Sequence, residues 1–218
     1  MQFVPQHPVP VFPLPGVVLF PGVELPLHVF ELRYRTMVRE ALSGERVIAL
    51  ALLKPGYESD YHASPEFFPV GCLARFEDVE WLPDDCYDLR LRGLARVRLG
   101  RLVREFPYRA VRVEVLGQAP YTEDDPLIQL ERRALLDARA RLAHLAVPRE
   151  ETPAEAGEGL AFEPLVNTVC MGLALDPTAK LALLEMESVL ERARRARETI
   201  EEQLRWAERG RRSGGDRN

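Results

Sequence analysis

Cysteine is scarce in this chain of 218 residues, and long hydrophobic runs are absent from it. The three cysteines, Cys72, Cys86 and Cys170, show no CxxC spacing, which argues against a disulfide framework or a zinc site. We therefore expect three buried thiols in a reducing compartment, the cytoplasm. The best apolar run, Val47–Leu53, is far shorter than the roughly 20 residues of a membrane helix. The N-terminus also lacks the basic region of a signal peptide.

Motifs for catalysis and for nucleotide binding are missing as well. The chain contains no GxxxxGKS/T, GxGxxG, GxSxG or HExxH segment, and its four histidines are scattered. A Ser-Lys dyad of Ser59 and Lys54 would require a desolvated lysine, whereas Pro55 and Gly56 place Lys54 in a solvated loop. The residues therefore predict a protein that is not an enzyme and that holds no metal and no cofactor.

The chain has no large excess of charge of either sign. Its formal net charge is -5, and hydrophobic residues at 46% with charged residues at 29% are typical of a folded globular protein. A dedicated nucleic-acid-binding protein usually carries a strong basic excess. The charge balance therefore makes nucleic acid the weaker candidate partner.

The first half of the chain has the period of antiparallel strands. Tyr87, Leu89 and Leu91 alternate with charged residues, and a similar alternation returns after Gly93. This pattern predicts a half-buried strand with a bulge or sharp bend at Gly93. The continuous apolar run Val47–Leu53 predicts a strand that is buried on both faces.

The second half has a helical period. Two Asp-Pro pairs, at 125–126 and 176–177, each place an Asp N-cap before a proline at the first helical position. The first pair is followed by an apolar seam that starts with Leu127 and Leu130. The second pair predicts one long helix that continues to about Glu208.

Together the two periods predict an α+β fold of two parts. Residues 1–117 form a β-rich subdomain with one helix at Leu32–Leu42. Residues 123–209 form a helical subdomain, which includes a shorter helix from Phe162 onward. Residues 210–218 form a frayed tail.

Aromatic residues gather in a predicted loop before a strand at Val70–Phe76. Four of them lie in that loop and a fifth lies at the end of the strand: Tyr57, Tyr61, Phe67, Phe68 and Trp81. Exposed rings in a loop often contact partners, so these residues are a candidate protein-binding site. The alternative is that Phe67 and Phe68 seal the edge of the sheet while the tyrosines pack over it.

Arginines recur along the predicted strands and offer a second candidate surface. The four in question are Arg90, Arg92, Arg96 and Arg98. On neighbouring strands they could form a phosphate-binding face for RNA or a nucleotide. The alternative is a solvated sheet face whose arginines pair with nearby carboxylates, those of Glu77, Asp78, Glu80 and Glu114. The acidic net charge favours this alternative.

One long motif carries a family resemblance. The segment from Phe12 to Glu31 reads FPLPGVVLFPGVELPLHVFE and closely resembles the opening of the Lon protease N-terminal, substrate-binding domain. Three later segments resemble strands and the helical end of the same domain: PVGCLAR at 69–75, FPYRA at 106–110 and LALDP at 173–177. The resemblance covers roughly residues 9 to 195.

The resemblance implies both a fold and a role. The fold is a PUA-like β pseudo-barrel with one helix, followed by a C-terminal α-helical bundle. The role is substrate recognition: a non-catalytic module of protein quality control that binds unfolded or exposed hydrophobic polypeptide segments, with a protease or chaperone as a further partner. Lon proteases carry an AAA+ ATPase and a Ser-Lys peptidase after this region, and the motifs of both are missing from these residues.

Overall fold

The computed structural model describes residues 3–59, 64–145 and 159–215. Within these residues six strands come first, with one helix and one short 3-10 turn, Tyr57–Ser59, among them, and four helices follow. The strands are β1 (Val9–Leu14), β2 (Glu24–Val29), β3 (Val47–Leu53), β4 (Phe67–Trp81), β5 (Tyr87–Arg104) and β6 (Ala110–Val115). The helices are α1 (Leu32–Leu42), α2 (Pro126–Leu145), α3 (Phe162–Gly172), α4 (Pro177–Glu185) and α5 (Val189–Gly215).

The six strands form one mixed sheet that closes into a near-ring. Their order is β2-β5-β4-β3-β1-β6, and a further pairing of β5 with β6 closes the ring. Strand β5 has 18 residues, so its first half can pair with β2 and its second half with β6. The predicted α+β fold with a β pseudo-barrel and one inserted helix is therefore confirmed.

Strand β3 separates two apolar clusters. Ile48 and Leu50 belong to the cluster that also contains Met37 of α1, whereas Ala49 belongs to a second cluster with Val97 of β5. Every residue of β3 is buried. The continuous apolar run thus forms a strand that is buried on both faces, as its sequence predicts.

Strand β5 contains a bulge beside Gly93. Leu73 of β4 lies opposite Ala95 and the next residue, Ala74, lies opposite Gly93, so Leu94 is the extra residue. A Cβ atom on Gly93 would lie 2.2 Å from the carbonyl oxygen of Phe20, a contact that only glycine avoids. The predicted bulge is confirmed.

The chain divides into two compact units. The first consists of residues 1–117 and 175–185, and the second of residues 118–174 and 186–218. Helix α4 therefore clusters with the sheet and not with the other C-terminal helices. The subdomain limits drawn from the sequence, 1–117, 123–209 and 210–218, stay a prediction.

The single long helix predicted after Asp176 is wrong. The structure has two helices there, α4 and α5, with a break at residues 186–188. The hydroxyl of Ser188 accepts a hydrogen bond of 3.2 Å from the backbone N–H of Glu191, which caps a new helix. The sequence signal was the spacing of Ser188 and Glu191, the S-x-x-E pattern of a capping box. Helix α5 also extends beyond the predicted end at Glu208, to Gly215.

Arg96 determines where α4 ends. Its side chain is only 4% exposed, and one Nη atom donates to the carbonyls of Leu184 and Glu185 at 3.1 and 3.2 Å. The other Nη atom donates to the carbonyl of Gly117. A guanidinium therefore satisfies the last carbonyls of α4, where a cation also complements the helix dipole. The prediction of a solvated Arg96 is wrong.

The second unit contains another buried arginine. Arg192 of α5 is fully buried and donates to Asn167 Oδ1 of α3 at 2.7 Å and to the carbonyl of Met186 at 2.7 Å. A buried guanidinium is costly unless oxygen atoms accept its hydrogen bonds, as these two do. Arg192 thus holds the backbone of Met186, at the break between α4 and α5.

The buried face of α2 is rotated by one residue from its predicted seam. Leu127 and Leu130 are exposed, and the buried positions are Ile128, Glu131, Leu135 and Ala138. Glu131 is buried because Arg197 of α5 donates to it at 2.7 Å. On α5 the buried apolar positions recur at helical spacing: Val189, Ala193, Ala196, Ile200 and Leu204.

All three cysteines are buried, as predicted. Cys72 is 1% exposed and Cys170 is 0% exposed. Burial raises the pKa of the Cys72 thiol to about 12, so this thiol stays protonated at neutral pH. In the part of the chain that the structure describes, no helix is both long and apolar enough to cross a membrane.

We predict that Arg96→Ala lowers the free energy of unfolding by roughly 1–3 kcal/mol, because buried carbonyls lose their donor. The matched control is Arg98→Ala, two residues along the same strand, whose side chain is 54% exposed and lies 3.7 Å from Glu114. We expect the control to lose less than about 1 kcal/mol. Urea unfolding measures both variants, and equal small losses would contradict the role given to Arg96.

We also predict that Cys72 and Cys170 do not react with Ellman's reagent while the protein is folded. Only the thiolate is nucleophilic, and burial suppresses both its formation and its access. All three thiols should react at once in concentrated guanidinium chloride. Rapid reaction of three thiols in the native protein would show that the packing around Cys72 and around Cys170 opens.

Candidate functional site

The structure separates the aromatic residues that the sequence placed together. Tyr57 is half-buried in the short turn Tyr57–Ser59, and Tyr61 lies outside the described residues. Phe67 and Phe68 belong to β4, which begins three residues earlier than predicted, so the loop assignment of these two rings is wrong. Trp81 lies at the far end of the same strand, roughly 45 Å away along an extended chain.

Phe67 has structural neighbours. It packs against the cluster of Val97 and Ala49, and the guanidinium of Arg109 lies 4.5 Å from its ring centroid. Arg109 also donates to the carbonyl of Pro65 at 2.7 Å, and burial lowers its pKa. These contacts support the alternative in which Phe67 seals the sheet.

Lys54 forms an ion pair at the start of the same loop. Its Nζ atom lies 2.7 Å from Glu66 Oε2, and this hydrogen bond lowers the pKa of the Glu66 carboxyl. The lysine side chain is 43% exposed. A solvated, paired ammonium does not activate a serine, which requires a desolvated lysine.

Trp81 belongs to a different exposed surface. It is 62% exposed and lies opposite Tyr87 of β5, which lies opposite Val29 of β2 in turn. Phe30, the next residue after Val29, is 63% exposed, and Leu32, the first residue of α1, is 69% exposed. We call Phe30, Leu32 and Trp81 the Trp81 patch.

Asp85 holds α1 against the Trp81 side of the sheet. Its carboxylate accepts hydrogen bonds from Trp81 Nε1 at 3.2 Å and from Arg35 Nη1 at 2.7 Å, and Arg39 lies 3.6 Å from it. Arg35 and Arg39 follow Leu32 at helical spacings of three and seven residues, so the three side chains share one face of α1. The backbone of Asp85 has a φ of 62°, a left-handed conformation that Asp tolerates better than most residues.

The four candidate arginines do not form one face. Arg90 and Arg92 point to the outer face of the sheet, the face opposite to Leu89 and Leu91. The bulge at Leu94 reverses the alternation, so Arg96 shares its face with the buried cluster of Cys72. A continuous phosphate-binding surface is therefore not assembled by these residues.

The exposed arginines also have carboxylate partners. Arg90 pairs with Asp78 and Arg92 pairs with Glu77, two partners that the sequence predicted. Glu24 of β2 contacts both arginines and was not predicted. Glu24 lies near these arginines because β2 pairs with β5, and the local sequence pattern does not reveal which strands pair. Each pairing neutralises positive charge that a phosphate would need.

A groove of about 470 Å³ lies beside β1 and the end of α1. Glu40 accepts hydrogen bonds there from Tyr108 and from Arg104, the latter at 2.8 Å. The bond from Tyr108 is the main cause that lowers the pKa of Glu40, and burial is the main cause that raises the pKa of Tyr108 to about 12. Because Glu40, Tyr108 and Arg104 bind one another, we assign these groups a role in holding the fold together and not in binding a ligand.

Lon proteases are among the curated proteins that are similar to this chain. Lon protease of Anaeromyxobacter dehalogenans is 32% identical over 150 residues, which cover 68% of this chain and 17% of that protein. Lon protease 2 of Herpetosiphon aurantiacus is 26% identical over 196 residues, which cover 89% of this chain and 24% of that protein. The chain therefore spans about a fifth of the length of these relatives.

Solved structures show the same fold. The N-terminal domain of Mycobacterium avium complex Lon protease aligns with a TM-score of 0.67 at 18% identity, over 89% of this chain and 98% of that chain. The Lon N-terminal domain protein from Xanthomonas campestris aligns with a TM-score of 0.60 at 25% identity, over 92% of this chain and 98% of that chain. The model of the ATP-dependent protease La (LON) substrate-binding domain matches residues 8–202. The chain therefore belongs to the family of Lon substrate-binding domains.

Proposed function

We propose that these residues form a non-catalytic protein-binding module that recognises unfolded or exposed hydrophobic polypeptide segments through the Trp81 patch. The observation that carries the proposal is the exposure of Phe30, Leu32 and Trp81, each more than 60% accessible, at one end of the sheet. A cluster of large apolar side chains on a folded surface marks a binding site more often than scattered ones do. The relatives are named proteases, so a protein client fits the family.

The chemistry of the patch suits varied clients. Trp81 offers a large ring whose N–H is already bound to Asp85, so it can contact apolar side chains without losing a hydrogen bond. Phe30 and Leu32 add apolar surface that contains no polar atoms. Such a surface binds by burial of apolar area, which does not depend on one client sequence.

The location of the patch leaves it independent of the two buried clusters. Trp81 lies at the last position of β4 and Leu32 at the first position of α1, where side chains extend past the packed face. Truncating either side chain should therefore remove contact area for a client without creating a cavity in the protein. A module of this kind would act as an adaptor that presents clients to a protease or chaperone.

We predict that Trp81→Ala weakens binding of a permanently unfolded protein, reduced and carboxymethylated α-lactalbumin, by about 1–2 kcal/mol, roughly 5- to 30-fold in Kd. The melting temperature should hardly change, because the ring is mainly exposed. Fluorescence anisotropy of the labelled client and thermal unfolding measure the two effects.

Trp206→Ala is the matched control, because Trp206 is 79% exposed and lies on α5 of the other unit. We expect it to leave the affinity unchanged. Tyr57→Ala is the third arm and tests the loop that the sequence singled out. If Trp206→Ala or Tyr57→Ala weakened binding as much as Trp81→Ala, the client would not be held by the Trp81 patch.

We also predict that the purified chain neither hydrolyses ATP nor degrades casein. The sequence offers no phosphate-binding loop, and Lys54 is paired with Glu66. Colorimetric phosphate release and a fluorescent casein assay measure these activities. Turnover that disappears in Lys54→Ala and remains in Lys180→Ala would refute the prediction.

A further inference from the structure

Strand β2 lies at an edge of the sheet. It pairs with β5 on one side, and no strand of the described residues pairs with its other side. An edge strand presents backbone N–H and C=O groups that have no partner in the sheet. The backbone groups on the open side of β2 are therefore a candidate binding surface.

Pro26 shows which backbone groups of β2 lie on the open side. It lies opposite Arg90 of β5, and because proline has no N–H, these two residues cannot exchange a pair of hydrogen bonds. Hydrogen-bonded and non-hydrogen-bonded pairs alternate along antiparallel strands. The neighbours Leu25 and Leu27 therefore bond to β5, and the carbonyl of Pro26 points away from it.

A backbone bond just before β2 agrees with this alternation. The carbonyl of Val23 accepts a hydrogen bond of 2.9 Å from the backbone N–H of Gly93 in β5. Odd-numbered residues of this segment thus direct their backbone groups at β5, and even-numbered residues direct theirs away. The open side therefore carries the N–H groups of Glu24 and His28 and the carbonyls of Glu24, Pro26 and His28.

These backbone groups are accessible and have no partner. Glu24, Pro26 and His28 are all exposed. Within the described residues, no backbone or side-chain hydrogen bond reaches the open side of these three residues. Their donors and acceptors alternate with the period of a strand, so the occupant that satisfies them is the backbone of another extended segment.

A second copy of β2 fits this edge poorly. The antiparallel overlap that engages Glu24, Pro26 and His28 of both copies places Pro26 opposite Pro26, and that pair has no donor. Proline on an edge strand is one of the means by which proteins avoid pairing with their own copies. A client segment with any other residue at that position supplies the N–H that the carbonyl of Pro26 needs.

The two faces of an added strand would meet different surfaces. Residues directly opposite Glu24 and His28 would place their side chains on the charged outer face, because opposite residues share a face. The alternate residues would place theirs beside Leu25 and Leu27, which pack against the buried cluster that α1 covers. Phe30 follows β2 directly, so the segment would also run past the Trp81 patch.

We propose that β2 binds an extended segment of an unfolded polypeptide as an added antiparallel strand in which apolar and polar residues alternate. This inference rests on the proposed function and names the way in which the client is held. Backbone hydrogen bonds do not depend on the client sequence, and the two unlike faces of the sheet supply the preference for alternation.

His28→Pro tests the proposal on the full chain. It removes an N–H from the open side and none from the ladder with β5, and Pro26 shows that the strand accommodates proline at such a position. His28→Ala is the matched control, because it also loses the contact with Asp88 but keeps the N–H. His28→Pro should bind carboxymethylated α-lactalbumin roughly three- to tenfold more weakly than His28→Ala, at a similar melting temperature.

Labelled peptides of alternating Leu and Thr test the same pairing on the wild-type protein. With Leu on the apolar face, the Thr residues direct their N–H groups at β2. Methylation of the Thr backbone nitrogens should therefore weaken binding roughly tenfold or more, and methylation of an equal number of Leu nitrogens should weaken it far less. Equal losses, or a larger loss for the Leu set, would overturn the antiparallel pairing.

Hydrogen exchange gives a further readout that needs no variant. The amide of His28 should exchange faster than those of Leu27 and Val29 in the free protein, and it should slow when the peptide binds. A His28 amide that is already protected in the free protein would refute the premise of an open edge.

The two proposals can fail separately. Equal binding by His28→Pro and His28→Ala would overturn the role of the edge, and weaker binding by Trp81→Ala would still support the proposed function. Failure of the wild-type protein to bind the unfolded client would overturn both proposals.

Discussion

The guanidinium of Arg96 donates hydrogen bonds to three backbone carbonyls of the first unit. Two belong to the last turn of α4 and one to Gly117, where the sheet region ends. An isolated helix of nine residues is marginal in water, so α4 depends on its packing and on this cap. The buried leucines of α4, Leu181, Leu183 and Leu184, and the cap from Arg96 together hold this helix in the first unit, although α2 and α3 intervene in the sequence.

That side chain reaches α4 because of the bulge at Leu94. Without the extra residue, Arg96 would continue the alternation of Arg90 and Arg92 and would point to the outer face. The bulge in turn requires Gly93, whose hydrogen atom faces the Phe20 carbonyl. The Phe12 to Glu31 motif contacts the bulge of β5 through the carbonyl of Phe20, and helix α4 contacts β5 through Arg96. Both segments therefore depend on the same bulge, which gives a physical reason for both to resemble the same domain.

Local sequence patterns predicted most helices and strands. They failed where contacts between residues far apart in the sequence determine which side chains are buried. The limits of α1 and the two-sided burial of β3 follow from spacing alone, and both agree with the structure. The seam of α2 was misjudged because Glu131 is buried by Arg197, a partner 66 residues away that periodicity cannot supply. The face of Arg96 differs from the simple alternation because the bulge at Leu94 reverses which residues of β5 point inward.

The candidate site was the least predictable part. Trp81 is identified from the sequence as a candidate ring, but Phe30 follows the end of β2 and Leu32 begins α1, and the pairing of β2 with β5 is not readable from the local sequence. Within the Phe12 to Glu31 motif, Phe30 reads as one more apolar residue, and its exposure becomes apparent only in the fold.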